Sequence, residues 1–370
     1  MPAVALPATG AWLAALAGSP LPGRRHEDWR FTDLAPLQSV AAEPWSGPDP
    51  FALAALPAGI TRLEPAEAQQ LRNQVLQATS SSGAWPVQLN QGASPRCLAL
   101  RVSGAAGPLQ LSIDAGAAPG LLALQLLLIL EEGASLELLQ HHSSSAANAT
   151  SLLTVAQLGR GARLHLGVLA PGDSRASLLS HLAISQAPAS ALQLTTAVGG
   201  WALSRLEPRI CQVAGAANTR LRALQLVDGQ DLADTHSHVC FEGPDGELDQ
   251  LHKVVADGAG RSVFNGAVQV PRKAQQTNAA QLSRTLLLSD RARVDTKPEL
   301  EIVADDVKCA HGATVSRLQQ SELFYLQSRG IGADQASKLL LRGYCDEVLR
   351  ELPVAAAALN PLPLLLRERP

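Results

Sequence analysis

Gly133-Ala134-Ser135-Leu136-Glu137-Leu138 is echoed by Gly161-Ala162-Arg163-Leu164-His165-Leu166, and again by Ala189-Ser190-Ala191-Leu192-Gln193-Leu194. Leu221 after Asn218-Thr219-Arg220 and Leu248 after Gly246 extend the series. The leucine spacings are 28 (164−136), 28 (192−164), 29 (221−192) and 27 (248−221), and Leu300 lies 52 beyond Leu248, close to two further periods. A constant period of this length marks a chain that stacks one small unit on the next, so that equivalent leucines form interior ladders, as in a β-solenoid. A β-sandwich or barrel is the competing fold, but neither needs a constant period. Aliphatic ladders also suit a chain that is 46% hydrophobic but only 3% aromatic.

Around the repeat, from about residue 86, the pattern has period two. Leu98, Leu100 and Val102 alternate with Ala99 and Arg101, and Leu109, Leu111 and Ile113 alternate with Gln110, Ser112 and Asp114. Each run ends at Gly, Pro or Asp, which is strand-and-turn punctuation. Helical periodicity is missing until residue 318, which excludes a doubly wound α/β fold. The chain therefore divides into a helix-and-loop region (1–85), a strand core (86–316) and a C-terminal helical region with a tail (317–370). In the first region Pro7, Pro20, Pro22, Pro36, Pro44, Pro48, Pro50 and Pro57 permit only short elements. A clearer helix starts at Pro65, carries Leu71, Val75 and Leu76, and stops at Ser80-Ser81-Ser82-Gly83. In the last region Leu323, Phe324 and Leu326 precede Gly330, which suits a left-handed helix end. Asp334 then caps a second helix bearing Ala336, Leu339, Leu340, Tyr344 and Val348 at helical spacing. Leu352 to Pro370 is expected to be a loose tail.

The formal charge of −3 and pI near 6.3 give no general electrostatic grip on nucleic acid or anionic membrane. The longest apolar run, Leu121 to Leu130, contains Gln125 and stops at Glu131-Glu132, so a buried strand is expected rather than a membrane span. The start lacks a signal-like or transit-like pattern. The five cysteines, Cys97, Cys211, Cys240, Cys309 and Cys345, are odd in number and far apart, with no C-x-x-C. A soluble protein of a reducing compartment, the cytoplasm, is the expectation. A phosphate-binding loop of the Gly-Lys type is absent, because none of Lys253, Lys273, Lys297, Lys308 and Lys338 follows a glycine.

Two stretches carry candidate chemistry. In Asp234-Thr235-His236-Ser237-His238-Val239-Cys240, alternate residues share a strand face, so His236, His238 and Cys240 form a candidate metal site beside Asp234, against the plainer reading of a solvated face with one buried thiol. His141-His142 is weaker, since consecutive strand residues point to opposite faces. Asp305-Asp306-Val307-Lys308-Cys309-Ala310-His311-Gly312-Ala313-Thr314 is denser: Cys309 and His311 are two apart, share a face in extended backbone, and could ligate iron or act as nucleophile and base. The plainer reading is a turn closing the last coil.

At this second stretch the chain resembles a known family. Thr296-Lys297-Pro298-Glu299-Leu300-Glu301-Ile302 followed by Ala304 to Thr314 looks like the C-terminal signature of the SufD branch of the SufB/SufD family, scaffold subunits of the SUF iron–sulfur cluster assembly system. The similarity continues through Val263-Phe264-Asn265-Gly266, Gln276-Thr277-Asn278-Ala279, Leu286-Leu287-Leu288-Ser289-Asp290, Leu323-Phe324-Tyr325-Leu326 and Arg329-Gly330-Ile331. Near the start, Glu27-Asp28-Trp29-Arg30-Phe31-Thr32-Asp33-Leu34 resembles the family's Trp-Arg/Lys-Tyr-Thr element.

The resemblance implies a mainly β protein, a right-handed parallel β-helix between helical ends, that is a non-catalytic scaffold. It implies a SufB-like partner paired through the β-helix and a SufC-like ABC ATPase on the C-terminal helices, with Leu323, Phe324, Tyr325, Leu339, Leu340, Tyr344 and Val348 as candidate docking residues. A homodimer is the alternative state when partners are absent. His311, with Cys309, would stand at the SufB junction and meet a transient iron or nascent cluster, while nucleotide belongs to the ATPase. Three rivals remain: a SufB-like paralogue, a β-helical carbohydrate-active protein, and a thiol enzyme centred on Cys309 and His311. Sugar platforms need exposed aromatics in the strand region, and Trp12, Trp29, Trp45 and Trp85 lie outside it.

Overall fold

The alternating pattern becomes strands that pass back and forth between two sheets. The computed structural model describes residues 11–51, 53 and 55–367; Pro7 and the last three residues of the expected tail lie outside the described residues. Among the described residues, a nine-stranded sheet runs from Ile60–Arg62 and Arg96–Val102 to Arg293–Ile302, and an eight-stranded sheet runs from Leu109–Asp114 to Lys308–Ser316. Only Ile60–Arg62 pairs antiparallel; the later strands pair in parallel, each with the strand one coil earlier and one coil later. The result is a parallel β-solenoid of eight coils, with one strand per coil in each sheet.

The interior is built from columns fixed by register. In the eight-stranded sheet Leu136, Leu164, Leu192, Thr219, Leu248, Ala279 and Cys309 succeed one another, and beside them Leu138, Leu166, Leu194, Leu221, Gln250, Gln281 and His311. Two details depart from the sequence ladder. Leu221 stacks on Leu194 rather than Leu192, so the ladder switches columns there and Leu248 stands on Thr219. Leu300 belongs to the nine-stranded sheet, above Val268, and is not on that ladder at all. Spacing alone cannot separate two leucines on one face of the same strand, and the coils lengthen from 28 residues (136 to 164) to 30 (279 to 309).

Toward the C-terminal end the columns turn polar, and most interior polar groups are paired, as burial demands. Thr219 donates to Gln186 Oε1 at 2.6 Å and accepts from Gln212 at 2.9 Å; Ser262 donates to Gln225 Oε1 at 2.5 Å; Gln281 donates to Gln250 at 3.0 Å, which donates to Ser237 at 2.8 Å. His252 is left wholly unpaired. Its ring stacks on Phe264, centroids 4.2 Å apart, and neither ring nitrogen has a partner.

Helices cover both outer faces, which is why strands such as Ser177–Gln186 are buried at every position. On the nine-stranded sheet, α1 (Ala11–Ala17) and α3 (Trp85–Gly92) press Leu13, Trp85 and Leu89 onto Leu121, Leu179 and Leu203, while α2 (Pro65–Ala78) presses Leu71, Val75 and Leu76 onto Leu127, Leu153 and Val155. Helix α3 occupies the beginning of the stretch that alternation assigned to strands; the strand run proper starts at Arg96. Past the solenoid come α4 (Gln320–Ser328), α5 (Ala333–Leu349) and α6 (Pro361–Leu365). Gly330 takes a φ of +85° and ends α4, its N–H donating to Gln327 O at 2.9 Å. The cap of α5 is Gly332 rather than Asp334, which sits in the first turn where its charge meets the positive helix end. The segment expected to be a loose tail is docked instead. Leu352, Ala356 and Leu365 are buried against Leu169, Leu224 and Leu226 on the outer face of the eight-stranded sheet, and the Glu351 carbonyl accepts from Thr195 at 2.7 Å. Its prolines permit two short helical pieces, Val354–Leu359 and α6, rather than disorder.

Burial lowers the pKa of His252 to about 3. Between that value and the ordinary histidine range the unfolded chain binds a proton that the folded chain refuses, so stability is present above about pH 6.5 and is lost as pH falls toward 3. The urea midpoint is expected to fall between pH 6.5 and 5, above the carboxylate range, and His252→Leu to flatten that fall; an unchanged slope in the variant would contradict the assignment.

Candidate functional site

Lys308–Ser316 is the last strand of the eight-stranded sheet, and Arg293–Ile302 the last of the nine; each is paired on one side only. Both are largely uncovered, with Ile302, Val303 and Val315 exposed. Cys309 and His311 both stand on inward-facing columns of this end coil, Cys309 above Ala279 and His311 above Gln281. The structure therefore brings them onto one face, as extended backbone requires. Cys309 is half-buried against the core, while His311 is exposed. Beneath His311 lies the glutamine ladder: Gln281 gives its amide to Gln250 and leaves its own Oε1 without a partner. Gly266 on the opposite wall makes room for it, because a Cβ there would lie 2.4 Å from Gln281 Nε2. Asp305-Asp306 is a turn tied to the turn one coil earlier, with Gln276 N donating to Asp306 O at 2.6 Å and Asp306 N to Gln275 Oε1 at 2.9 Å. That is the closing turn of the plainer reading. A Cβ at Gly312 would stand 3.3 Å from Leu282 Cδ1, a tight contact with a movable side chain.

Asp234, His236, His238 and Cys240 do line the outward face of Leu232–Phe241, but each meets a different environment. Asp234 is fully buried beneath the Glu27–Leu34 element: Thr32 Oγ1 donates to it, Arg205 pairs with it, and His236 Nε2 lies 3.4 Å from its Oδ1. Burial, more than the neighbouring charges, lowers the pKa of His236. His238 stands beside Arg209 at the edge of a 250 Å³ crevice, and burial followed by Arg209 lowers it to about 4. Cys240 instead meets Cys211 and Glu242. Among the described residues no three His, Cys, Asp or Glu side chains gather to hold a metal ion. Of the histidine pair, His141 Nε2 and the wholly buried His142 Nδ1 lack partners.

The polar cluster around Asp234 was not apparent from one strand because it is assembled from three strands and the Glu27–Leu34 element. Arg205 donates to Glu207 and to Asp234, and to the Asp28 carbonyl at 2.9 Å; His181 Nδ1 lies 2.9 Å from Glu207. The guanidinium lies 3.7 Å from the centroid of the Trp29 ring, and Trp29 packs edge-on to Trp85. Burial alone would raise the carboxyl of Glu207, yet Arg205, with the hydrogen bond from His181, holds it well below the usual carboxylate range. The Trp29-Arg30-Phe31-Thr32 motif is thus a lid over a buried ion-pair network. The available signal was Arg205, Glu207 and Arg209 at alternate positions of a strand otherwise fit for a core.

The C-terminal helices divide the candidate docking residues. Helix α4 buries nothing: Phe324 and Tyr325 are exposed, at 72% and 57%, and Leu323 is half-buried. On α5, Leu339 is exposed and Leu340 half-buried. Val348 and Tyr344 are directed to the solenoid instead. Val348 is wholly buried, the Tyr344 hydroxyl donates to Arg284 O at 2.8 Å, and Lys253 Nζ lies 3.8 Å above the Tyr344 ring. Of the seven, Phe324, Tyr325 and Leu339 are the exposed ones.

The pattern described as "SUF system FeS cluster assembly, SufBD core domain" matches residues 113–344. An iron–sulfur cluster assembly SufBD family protein of Synechocystis is 36% identical over 243 residues, 63% of this chain and 53% of that protein. The iron–sulfur cluster assembly protein SufD of Escherichia coli is 37% identical over 142 residues, 38% of this chain and 34% of that one, and the SufD of Bacillus subtilis 43% identical over 103 residues, 28% and 23%. The aligned part of the chain thus spans about half the length of the cyanobacterial relative and less of the other two.

Burial pushes the Cys309 thiol up, only partly offset by a backbone hydrogen bond from Ala279. A thiol so placed is a poor nucleophile at neutral pH. Iodoacetamide at pH 7 is expected to label Cys309 more slowly than a free cysteine; faster labelling would revive the thiol-enzyme reading. Separately, Arg205→Ala leaves Asp234 and Glu207 buried without their guanidinium partner and is expected to cost about 3–5 kcal/mol by urea unfolding; a loss within about 0.5 kcal/mol would contradict the lid.

Proposed function

Because the chain belongs to the SufB/SufD family of the SUF iron–sulfur cluster assembly system, we propose that it is a SufD-type, non-catalytic scaffold that pairs end to end with a SufB-like subunit and offers His311 at the junction. The observation that carries this reading is the unfinished last coil. Its two strands present unpaired edges and apolar side chains, and Cys309 and His311 lie on the same end. A second parallel coil laid on that end would extend both sheets and bury Val315 and Ile302, as strand addition does elsewhere. Imidazole is a good ligand for iron, and a site that needs one ligand from each subunit forms only on assembly. Iron and the nascent cluster are cargo in this scheme, held transiently. Cys309 is the second candidate contact, though its half-buried, protonated state makes it the lesser one.

A SufC-like ATPase would take the exposed Phe324, Tyr325 and Leu339 of α4 and α5. The chain's own lack of a Gly-Lys phosphate loop agrees with nucleotide being handled by that partner. Among the described residues no helix is long and apolar enough to cross a membrane, and a cytoplasmic location is part of the proposal. The carbohydrate-active alternative does not accord with the family.

The test is anaerobic co-purification of the tagged chain with its SufB-like and SufC-like partners. The wild type is expected to give a three-protein complex. His311→Ala should leave that complex intact while reducing iron and sulfide incorporation severalfold. Val315→Glu should lose the SufB-like subunit but keep the ATPase, and Phe324→Glu the reverse. Unchanged iron and sulfide in His311→Ala would overturn the site, and retention of both partners by both charge variants would overturn the docking faces.

A further inference from the structure

Cys211 and Cys240 face one another on neighbouring parallel strands, Leu203–Gln212 and Leu232–Phe241. Both point outward, since Ile210 and Val239 beside them fill the interior. Cys211 is nearly sealed, 1% exposed, and Cys240 is the outer of the two at 9%. The Cys240 thiol donates to Glu242 Oε1 at 3.4 Å, and Glu242 is paired with Lys273. A relay of thiol, thiol, carboxylate and ammonium therefore runs from a sealed sulfur to solvent. The other cysteines have no such company in the register: Cys97 lies opposite Gln125, Cys309 opposite Ala279, and Cys345 on α5.

We propose that Cys211 and Cys240 form a dithiol site that small hydroperoxides oxidise to a disulfide. Adjacent strands lie about 4.8 Å apart, and disulfides join Cα atoms about 4.4–6.8 Å apart, so the bond closes by side-chain rotation without moving the coils. A peroxide reaches Cys211 past Cys240, the outer of the two, through an opening too narrow for bulky disulfides. Cys240 beside it holds the Cys211 thiol below its usual pKa, and Cys211, with burial and Glu242, keeps the proton on Cys240. Cys211 is thus the attacking sulfur and Cys240 the resolving one.

In the first step the Cys211 thiolate attacks the terminal peroxide oxygen. The O–O bond breaks, the departing alkoxide takes up a proton and leaves as an alcohol (or as water, from hydrogen peroxide), and Cys211 becomes a sulfenic acid. In the second step Cys240 gives its proton to Glu242 and its sulfur attacks the Cys211 sulfur. The S–S bond forms, the S–O bond breaks, and the departing hydroxide takes the proton from Glu242 and leaves as water. Two thiols lose two electrons and two protons, and one peroxide is reduced to an alcohol and a water. The product is a covalent rung between two coils on the outer face of the nine-stranded sheet. It is independent of the scaffold assignment and stands or falls without it.

The test treats the reduced full chain with hydrogen peroxide in the absence of air, quenches with iodoacetamide, and maps tryptic peptides. The peptides of residues 210–220 and 223–253 are expected to appear joined, two hydrogens lighter than their sum and separable by dithiothreitol. Their free forms should disappear at least about tenfold faster than that of the buried Cys345 peptide. Cys240→Ser should stop at the first step and give a dimedone adduct on Cys211, and Cys211→Ser should leave Cys240 unoxidised. Peroxide that oxidises Cys97 or Cys309 first while both peptides remain alkylated would overturn the proposal, as would a Cys240→Ser chain with no adduct. If circular dichroism shows either variant misfolded, the wild-type peptide map decides alone.

Discussion

In-register stacking of parallel strands is the constraint from which the rest of this molecule follows. A solenoid coil closes no core of its own; each interior side chain is buried by the coil before it and the coil after it. One end is provided for. Ile60–Arg62 pairs antiparallel with Arg96–Val102 and covers the first edge of the nine-stranded sheet, while Trp45, Phe51 and Ile60 join the interior cluster. Among the described residues the other end has no equivalent. The last coil carries the same columns as its neighbours, so its inward-facing positions are necessarily uncovered, and these are the positions of Cys309 and His311. The candidate chemistry thus occupies the one place where the architecture cannot finish itself.

The same constraint explains how the two helical regions are used. Both outer faces of the sheets are apolar over much of their length, and the regions before and after the solenoid each cover one. Covering a face need not be wholly apolar. Beneath the Trp29 lid lies a charge network of Arg205, Glu207, Asp234 and His181, in which every ion has a partner across a strand or from the lid itself. Such a network adds little net stability over a hydrophobic packing of the same shape, but removal of one member is costly. It matches the lid to its place on the sheet more closely than leucine against leucine would.

Much of this was legible in the residues. The Leu136, Leu164 and Leu192 repeat specified the coil, alternation specified the strands, and Pro65 and Gly330 marked a helix start and a helix end. What escaped has physical causes. The slip from Leu192 to Leu221 arose because two leucines on one strand face are equivalent in spacing. The docking of Leu352 to Leu365 was hidden because its prolines look like disorder until a hydrophobic sheet face is available to receive them. Tyr344 and Val348 sit on the same helix as Leu339, and only packing shows which of its sides faces inward. The pairing of Cys211 with Cys240 lay within reach, for once a coil is known to span nearly thirty residues, any two residues that far apart are neighbours.

Lys253 carries a mechanical consequence. Almost wholly buried, its ammonium holds the Tyr344 carbonyl and the Glu347 carboxylate, each at 2.6 Å, and sits over the Tyr344 ring. Helix α5 is riveted there to the strand Glu247–Ala256, two rungs below the open end, whereas α4, joined to it at Gly330, buries no residue of its own. The pair is a lever with its fulcrum on the solenoid wall. A load applied to the free arm is delivered to the solenoid wall through Lys253 and, beside it, the Tyr344 hydroxyl on Arg284 O and the buried Val348, and passes from the strand that bears Gln250 along the glutamine ladder toward the rim.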